Sequence, residues 1–159
     1  MDTFAFIIHP IDPKRDISRK YPFLGRIATD WMVYHLSPFF PPVFLSEVEG
    51  VISAWTGKQI KGWLIACPLS PVHFKGLPEK RVYRKIIETG RLAERLGAQI
   101  LGLGAFTSVV GDAGLTIAQA LDVPVTTGDS YTVAVAVQAI REAARLMDIE
   151  MESAAAAVV

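Results

Sequence analysis

The second half of the chain alternates short apolar runs with longer amphipathic segments, and this alternation constrains the fold more than any other feature. One amphipathic segment begins at Pro78, a residue favoured in the first turn of a helix, and ends at Gly97, a residue typical of left-handed helix caps. The other predicted elements of this half are a strand at 99–103, a helix at 115–121, a strand at 123–126 and a helix at about 131–147. Because strands and helices follow one another in turn, we expect an α/β fold with a mainly parallel sheet flanked by helices.

The first half carries weaker signals for regular structure. The apolar run 4–8 ends at His9-Pro10, which predicts a buried strand because proline cannot continue a ladder. We expect one short helix after Pro13 and a loop from there to about residue 30. The runs 50–55 and 60–67 are typical of strands, and the four residues between them predict a hairpin.

The composition excludes several classes of function. A chain of 159 residues that is 51% hydrophobic fits one domain with a buried core. Lysine plus arginine equals aspartate plus glutamate at 16 each, so a nucleic-acid partner is not expected. No uncharged apolar run approaches the roughly 20 residues of a membrane span, and no secretory signal begins the chain, so we expect a cytoplasmic protein. Cys67, the single cysteine, is expected in the core.

A glycine-containing loop follows the predicted strand 99–103. Gly102 and Gly104 are part of a dinucleotide-binding pattern, but its third glycine is missing and Asp122 precedes a strand, so no dinucleotide site is expected here. We interpret the glycines as allowing a close approach of backbone to a ligand, with Thr107 and Ser108 as hydroxyl donors. The alternative is that these residues only cap a helix.

A second polar loop joins the strand 123–126 to the last helix. Free N–H groups at a helix start favour an anion or a carbonyl oxygen, although Asp129 or Ser130 could instead cap the helix. Both loops follow predicted strands, so we expect them to line one cleft. The predicted substrate-binding residues are Thr107, Ser108, Thr127, Gly128, Asp129, Ser130 and Tyr131, and no catalytic residue is assigned.

Two other groups of polar residues are candidates for a functional role. His9, His35 and His73 show no metal-ligand spacing, and with one cysteine no metal site is expected. Four basic residues begin the helix after Pro78, which is the unfavourable helix end for cations. They form either an ordinary solvated face or a docking patch for an acidic partner.

The apolar residues 153–159 predict the first strand of a further domain, because a small apolar strand after a long helix is how a dinucleotide-binding domain opens. On this hypothesis residues 1–152 form a substrate-side domain and residues 153–159 begin a missing nucleotide-binding domain. The alternative is an exposed alanine tail.

Two segments resemble a known family. The run Leu103-Gly104-Ala105-Phe106-Thr107-Ser108 is similar to its Leu-Gly-Gly-Phe-Ser-Ser, and the seven residues 126–132 are similar to its Thr-Thr-Gly-Asn-Thr-His-Thr. By these segments the chain, from about residue 50 onward, resembles the N-terminal domain of long-chain acyl-[acyl carrier protein] reductases, which are also labelled predicted amino-acid dehydrogenases. Asp129 and Tyr131 depart from the family's amide and histidine.

The resemblance implies the substrate domain of a two-domain oxidoreductase with a shikimate-dehydrogenase-like fold. NADPH in the full-length protein would reduce a fatty acyl thioester of acyl carrier protein or coenzyme A to a fatty aldehyde. The fragment alone would bind no cofactor and would be inactive; its partners would be the missing C-terminal nucleotide-binding domain and acyl carrier protein. The alternatives are a shikimate or amino-acid-type dehydrogenase domain, or a non-catalytic module that binds carrier protein or a lipid.

Overall fold

The computed structural model describes residues 1–155, apart from the side chains of Lys20 and Leu24, and has a five-stranded sheet flanked by helices. The strands are β1 (Asp2–Ile8), β2 (Val43–Ile52), β3 (Gln59–Ala66), β4 (Leu101–Leu103) and β5 (Val125–Thr126). The helices are α1 (Pro13–Lys20), α2 (Pro22–Ile27), α3 (Asp30–Leu36), α4 (Pro71–Gly76), α5 (Glu79–Leu96), α6 (Phe106–Val109), α7 (Leu115–Gln119) and α8 (Asp129–Leu146). A 3-10 turn at Ser37–Phe39 follows α3.

The sheet has the order β2-β3-β1-β4-β5, with β1 at its centre. β1 runs parallel to β3 and β4, and β4 runs parallel to β5. β2 is an antiparallel edge strand paired with β3. The predicted α/β class with a mainly parallel sheet is therefore confirmed. The predicted hairpin is confirmed as well, although its first strand, β2, begins earlier than predicted, directly after Pro41-Pro42.

The prediction of a loop after α1 is wrong, because α2 and α3 occupy most of residues 22–36. Pro22 begins α2, and Thr29 caps α3 by accepting a hydrogen bond at 3.2 Å from the backbone N–H of Met32. A side-chain cap of this kind satisfies one of the backbone donors that a helix start leaves unpaired.

The main core lies between the sheet and α5. One face of the sheet packs against the apolar side of this helix, as the periodicity after Pro78 predicts. The buried residues are Ala5, Ile7, Ile65, Leu101 and Leu103 from the strands, with Val82, Ile86 and Ala93 from α5. Gly97 ends α5 at φ 89°, which confirms the predicted cap. Cys67 is fully buried, and that burial raises the pKa of its thiol to about 11, so its predicted core position is confirmed.

Glycines in β3 and β4 make room for aromatic rings. A Cβ at Gly62 would collide with the ring of Phe4, and a Cβ at Gly102 would collide with the ring of Phe6. The interpretation that Gly102 lets the backbone approach a ligand is therefore wrong, because the Phe6 side chain occupies that space.

Residue contacts divide the chain into two units. The first, Met1–Thr127, holds the whole sheet and α1 to α7, and the second begins at Gly128 and holds α8. Ser153 lies in a turn, Ala154 and Ala155 have no regular structure, and residues 156–159 lie outside the described residues. The strand at 153–159 and the domain boundary at 152 stay predictions. Among the helices of residues 1–155, none has both the length and the apolar composition that crossing a membrane requires.

Candidate functional site

A cavity of about 720 Å³ lies where β1 and β3 end. Its wall includes Ile8, His9 and Pro10 after β1, and Ala66 and Pro68 after β3. We call it the β1–β3 cavity. Carboxyl ends of parallel strands are where open α/β sheets bind ligands, and the volume lies within the range of roughly 300–1,000 Å³ that small-molecule sites occupy.

One part of the cavity wall is apolar. Its side chains come from β1, α1, the segment after the 3-10 turn, and β2, and they are Ile8, Ile17, Phe40, Val43 and Leu45. This surface can bind the apolar body of a ligand, because moving such a group out of water is favourable by about 25 cal/mol per Å².

The wall also carries charges from α1 and from its N-cap, Asp12. Arg15 and Arg19 are four residues apart, as are Asp12 and Asp16, so each pair forms its own stripe along the helix. Asp12 also caps α1 by accepting a hydrogen bond at 3.1 Å from the backbone N–H of Arg15. The ion pairs found within residues 1–155 do not involve Arg15, Asp16 or Arg19. Both signs of charge therefore remain for a ligand.

His9 connects the cavity wall to the loop before α6. Its Nδ1 donates to the carbonyl oxygen of Pro10 at 3.2 Å, and its Nε2 accepts from the backbone N–H of Phe106 at 3.4 Å, a tautomer assigned from these two contacts. Its ring also packs beside those of Phe74 and Phe106, with centroid distances of 5.2 and 5.5 Å. Through these contacts His9 links the end of β1 to the loop before α6.

Ser37 is the buried polar residue of the cavity wall. Its side chain is only 4% exposed, and its Oγ has no hydrogen-bond partner within the part of the chain that the structure describes. A buried hydroxyl without a partner is costly, and in native proteins such a group calls for a ligand, a water or a functional role. The sequence carries no signal for it, because Ser37 in the context Leu-Ser-Pro is indistinguishable from a turn residue.

The first predicted substrate loop is a tight turn in the structure. Thr107 is buried and its Oγ1 donates to the carbonyl oxygen of Gly104 at 2.7 Å. Ser108 is buried as well, and its Oγ donates to the carbonyl oxygen of Ala105 at 2.7 Å. Both hydroxyls thus bind carbonyl oxygens of their own turn, and neither caps α6, whose N-cap is Ala105 without a side-chain hydrogen bond. Their role as substrate ligands stays a prediction.

The second predicted loop is divided between the two units. Thr127 ends the first unit, whereas Gly128 is the N-cap of α8 with φ 77°, and Asp129, Ser130 and Tyr131 form the first turn of that helix. The alternative that Asp129 or Ser130 is the N-cap is therefore wrong. The proposed cleft that joins this loop to Thr107 stays a prediction.

Metal-binding groups are also sparse. A cluster of three or more histidine, cysteine, aspartate or glutamate side chains that could hold a metal ion does not occur among residues 1–155.

Sequence comparison supplies the remaining finding. A curated protein aligns with this chain at 40% identity over 169 residues, which cover 98% of the chain. The chain is similar to an aminotransferase. The relative is Aminotransferase PigE of Serratia sp. (strain ATCC 39006), and the chain spans 18% of its length. No protein-family model matches the chain.

This comparison corrects the interpretation drawn from the two short segments. The resemblance to long-chain acyl-[acyl carrier protein] reductases is wrong, because the similarity extends over 98% of the chain and leads to an aminotransferase. The assignments as an NADP-dependent oxidoreductase, an acyl thioester reductase that forms fatty aldehydes, and a shikimate-type dehydrogenase are wrong for the same reason. A non-catalytic module for carrier protein or lipid does not fit the relative either. The expectation that the full-length protein uses NADPH rested on these assignments and is no longer supported.

Proposed function

We propose that this chain is a substrate-binding domain of an aminotransferase polypeptide, and that its β1–β3 cavity binds an apolar amino acid. The observation that carries the proposal is the composition of the cavity wall, which combines an apolar surface with two stripes of opposite charge. The similarity to an aminotransferase over 98% of the chain supports the class of reaction that the bound molecule enters.

The charges of α1 match those of a zwitterion. A carboxylate can bind Arg15 or Arg19, because guanidinium groups form strong paired hydrogen bonds with carboxylates. An ammonium group can bind Asp16, one helix position away from Arg15. An apolar side chain would then lie on the surface formed by residues such as Ile17 and Leu45. The corresponding keto acid would keep the carboxylate contact and lose the ammonium contact.

Transamination depends on pyridoxal phosphate, which is held as a Schiff base with a lysine. Among the side chains that the structure describes, no lysine lines the β1–β3 cavity. Lys85 is partly buried, but its Nζ donates to Glu88 at 2.7 Å and to the carbonyl oxygen of Phe40 at 3.0 Å. Lys61 is paired with Glu47. These residues do not fit the cofactor, so we assign substrate binding to this domain and no step of the transfer itself.

Calorimetry on the 159-residue chain tests the proposal. The ligands are L-leucine, 4-methyl-2-oxopentanoate and isopentylamine, which carry both charges, the carboxylate alone and the ammonium alone. The variants are Arg15→Gln/Arg19→Gln and Asp16→Asn, with Arg26→Gln on the exposed side of α2 as the matched control.

The double arginine variant should bind leucine and the keto acid roughly tenfold more weakly or worse, since a charge-assisted hydrogen bond contributes about 1.5–3 kcal/mol, and should bind the amine unchanged. Asp16→Asn should weaken leucine and the amine but not the keto acid. Absence of leucine binding, or an equal loss in Arg26→Gln, would contradict the proposal.

A further inference from the structure

The hydroxyl of Ser37 has no role in the proposed function, although it belongs to the same cavity. Ser37 lines the β1–β3 cavity and is almost fully buried, and its Oγ has no hydrogen-bond partner within residues 1–155. Other helical hydroxyls bond to the carbonyl oxygen four residues earlier, Ser18 to that of Lys14 at 2.7 Å and Thr89 to that of Lys85 at 2.8 Å. The Ser37 hydroxyl has therefore lost water on folding without the local bond that such a position usually makes.

The backbone of Ser37 is fixed, whereas its side chain is not. Its N–H donates to the carbonyl oxygen of Val33, and its carbonyl oxygen accepts from the N–H of Phe40 at 3.1 Å. An ion pair of 3.3 Å between Lys14 and Asp30 ties α3, which Ser37 follows, to α1. Rotation of the side chain between staggered positions breaks no hydrogen bond, so the hydroxyl is free to turn towards a bound molecule.

The charged groups of the cavity wall each have a single hydrogen-bonding role. Arg15 and Arg19 can only donate, and the carboxylate of Asp16 can only accept. A serine hydroxyl has one donor and two acceptor lone pairs, so Ser37 can do either. Tyr21 also carries a hydroxyl on this wall, but it is 47% exposed and water can satisfy it.

An amino acid and its keto acid differ only at the α-carbon, where a donor is exchanged for an acceptor. From the unpartnered hydroxyl in the wall we infer that Ser37 binds this α-substituent in both molecules. It accepts from the ammonium group of the amino acid and donates to the keto oxygen of the keto acid. The inference rests on the proposed function, in which Asp16 can bind the ammonium group but not the keto oxygen.

The carboxylate of the ligand has less need of this hydroxyl. Arg15 and Arg19 each carry five N–H donors, whereas Ser37 is the buried polar side chain of the wall. Ser37 is thereby a specificity-determining residue. It favours 2-amino and 2-oxo acids over a carboxylic acid of the same skeleton that has only hydrogen at the α-carbon.

Calorimetry on the 159-residue chain tests the inference with three ligands that differ only at the α-carbon: L-leucine, 4-methyl-2-oxopentanoate and 4-methylpentanoate. Ser37→Ala should bind leucine roughly tenfold more weakly and the keto acid roughly two- to tenfold more weakly. It should bind 4-methylpentanoate as the unaltered chain does. Tyr21→Phe, which removes the exposed hydroxyl of the same wall, is the matched control and should change none of the three affinities.

A comparison on the unaltered chain provides a readout that does not depend on the folding of a variant. The keto acid should bind more tightly than 4-methylpentanoate, and equal affinities overturn the inference. It is also overturned if Ser37→Ala weakens all three ligands equally, which would indicate a carboxylate contact, or weakens none. In these cases leucine still binds to the unaltered chain and the proposed function stands. If leucine does not bind, the proposed function fails and the inference fails with it.

Discussion

A single substitution at Ser37 can distinguish an effect on the stability of the fold from an effect on ligand binding. Its Oγ is buried without a partner among residues 1–155, so Ser37→Ala removes a polar group that is unsatisfied within this part of the chain and loses none of its hydrogen bonds. We expect the free energy of unfolding in urea to stay constant or to rise by up to about 1 kcal/mol. If the hydroxyl serves the ligand of the β1–β3 cavity, the same substitution weakens leucine binding.

Ser108→Ala is the matched control for this prediction. The Ser108 hydroxyl is also buried, but it donates to the carbonyl oxygen of Ala105 at 2.7 Å. Its removal should lower the free energy of unfolding by about 1 kcal/mol and leave leucine binding unchanged. A Ser37→Ala protein that is less stable than Ser108→Ala would show that Ser37 has an internal partner.

His73 makes the stability of the fold depend on pH. Burial lowers the pKa of its imidazole, and the nearby His35 lowers it further, although the hydrogen bond to the carbonyl oxygen of Tyr34 acts in the opposite direction. Its Nδ1 accepts from the backbone N–H and from the Oγ of Ser70, at 3.1 and 2.8 Å, which requires the neutral ring.

The unfolded chain therefore takes up a proton at His73 more readily than the folded chain does. The stability contributed by neutral His73 is complete above the unfolded pKa of about 6.5, and it is lost as the pH falls towards the lowered pKa of the folded state. Urea unfolding between pH 8 and pH 5 should show a steeper decline for the unaltered chain than for His73→Gln, whose amide can replace both contacts without titrating. Parallel curves for the two proteins would exclude this role.

Among the secondary-structure elements, α5 ends at a residue whose backbone conformation favours glycine. Gly97 has φ 89°, and among the atoms that the structure describes none lies within 4 Å of the position that a Cβ would take, so a side chain there is opposed by the backbone conformation. Gly97→Ala should lower the free energy of unfolding by about 1–2 kcal/mol. Gly76→Ala, at the end of α4, has equally open space without a positive φ and should be neutral or stabilising. Equal effects in urea unfolding would show that the left-handed cap is not the cause.

Elements with strong local signals could be predicted, and those fixed by tertiary context could not. α5 was predicted between Pro78 and Gly97 because its caps and periodicity agree. α2 and α3 were missed since they are short and their residues do not follow an amphipathic pattern, as the many exposed apolar side chains there show. β5 lies within the strand predicted at 123–126, but only two of those residues form it, because its length depends on pairing with β4, which no local pattern reports.

The candidate sites illustrate the same limit. The β1–β3 cavity combines residues from positions 8–21, 37–45 and 66–68, which only the folded sheet and α1 bring together. Its position could still have been inferred from His9, which directly follows a predicted strand. The prediction that Thr107 and Ser108 bind a ligand rests only on their being hydroxyl residues. Residue type alone does not distinguish a hydroxyl that binds a ligand from one that donates to a carbonyl oxygen of its own turn.

For the molecule as a whole, the predicted fold class was right and the predicted activity was wrong. An α/β sheet serves many unrelated activities, so the architecture did not restrict the chemistry. The reductase interpretation depended on two glycine-containing loops, and such loops recur wherever a strand passes into a helix. The sequence similarity to an aminotransferase extends over 98% of the chain and therefore includes the strands, the helices and the cavity wall. It is stronger evidence than the similarity of thirteen residues in two loops.

The division into two units leads to a prediction for the whole molecule. The described residues that line the β1–β3 cavity all belong to the unit Met1–Thr127. A protein ending at Thr127 should therefore bind leucine with an affinity close to that of the 159-residue chain when the two proteins are compared by calorimetry. Arg15→Gln/Arg19→Gln in the shortened protein is the control, and it should weaken leucine binding roughly tenfold or worse, as in the 159-residue chain. A shortened protein that is cooperatively folded in urea unfolding but has lost leucine binding would show that residues after Thr127 contribute to the site, because the cavity residues themselves are all retained.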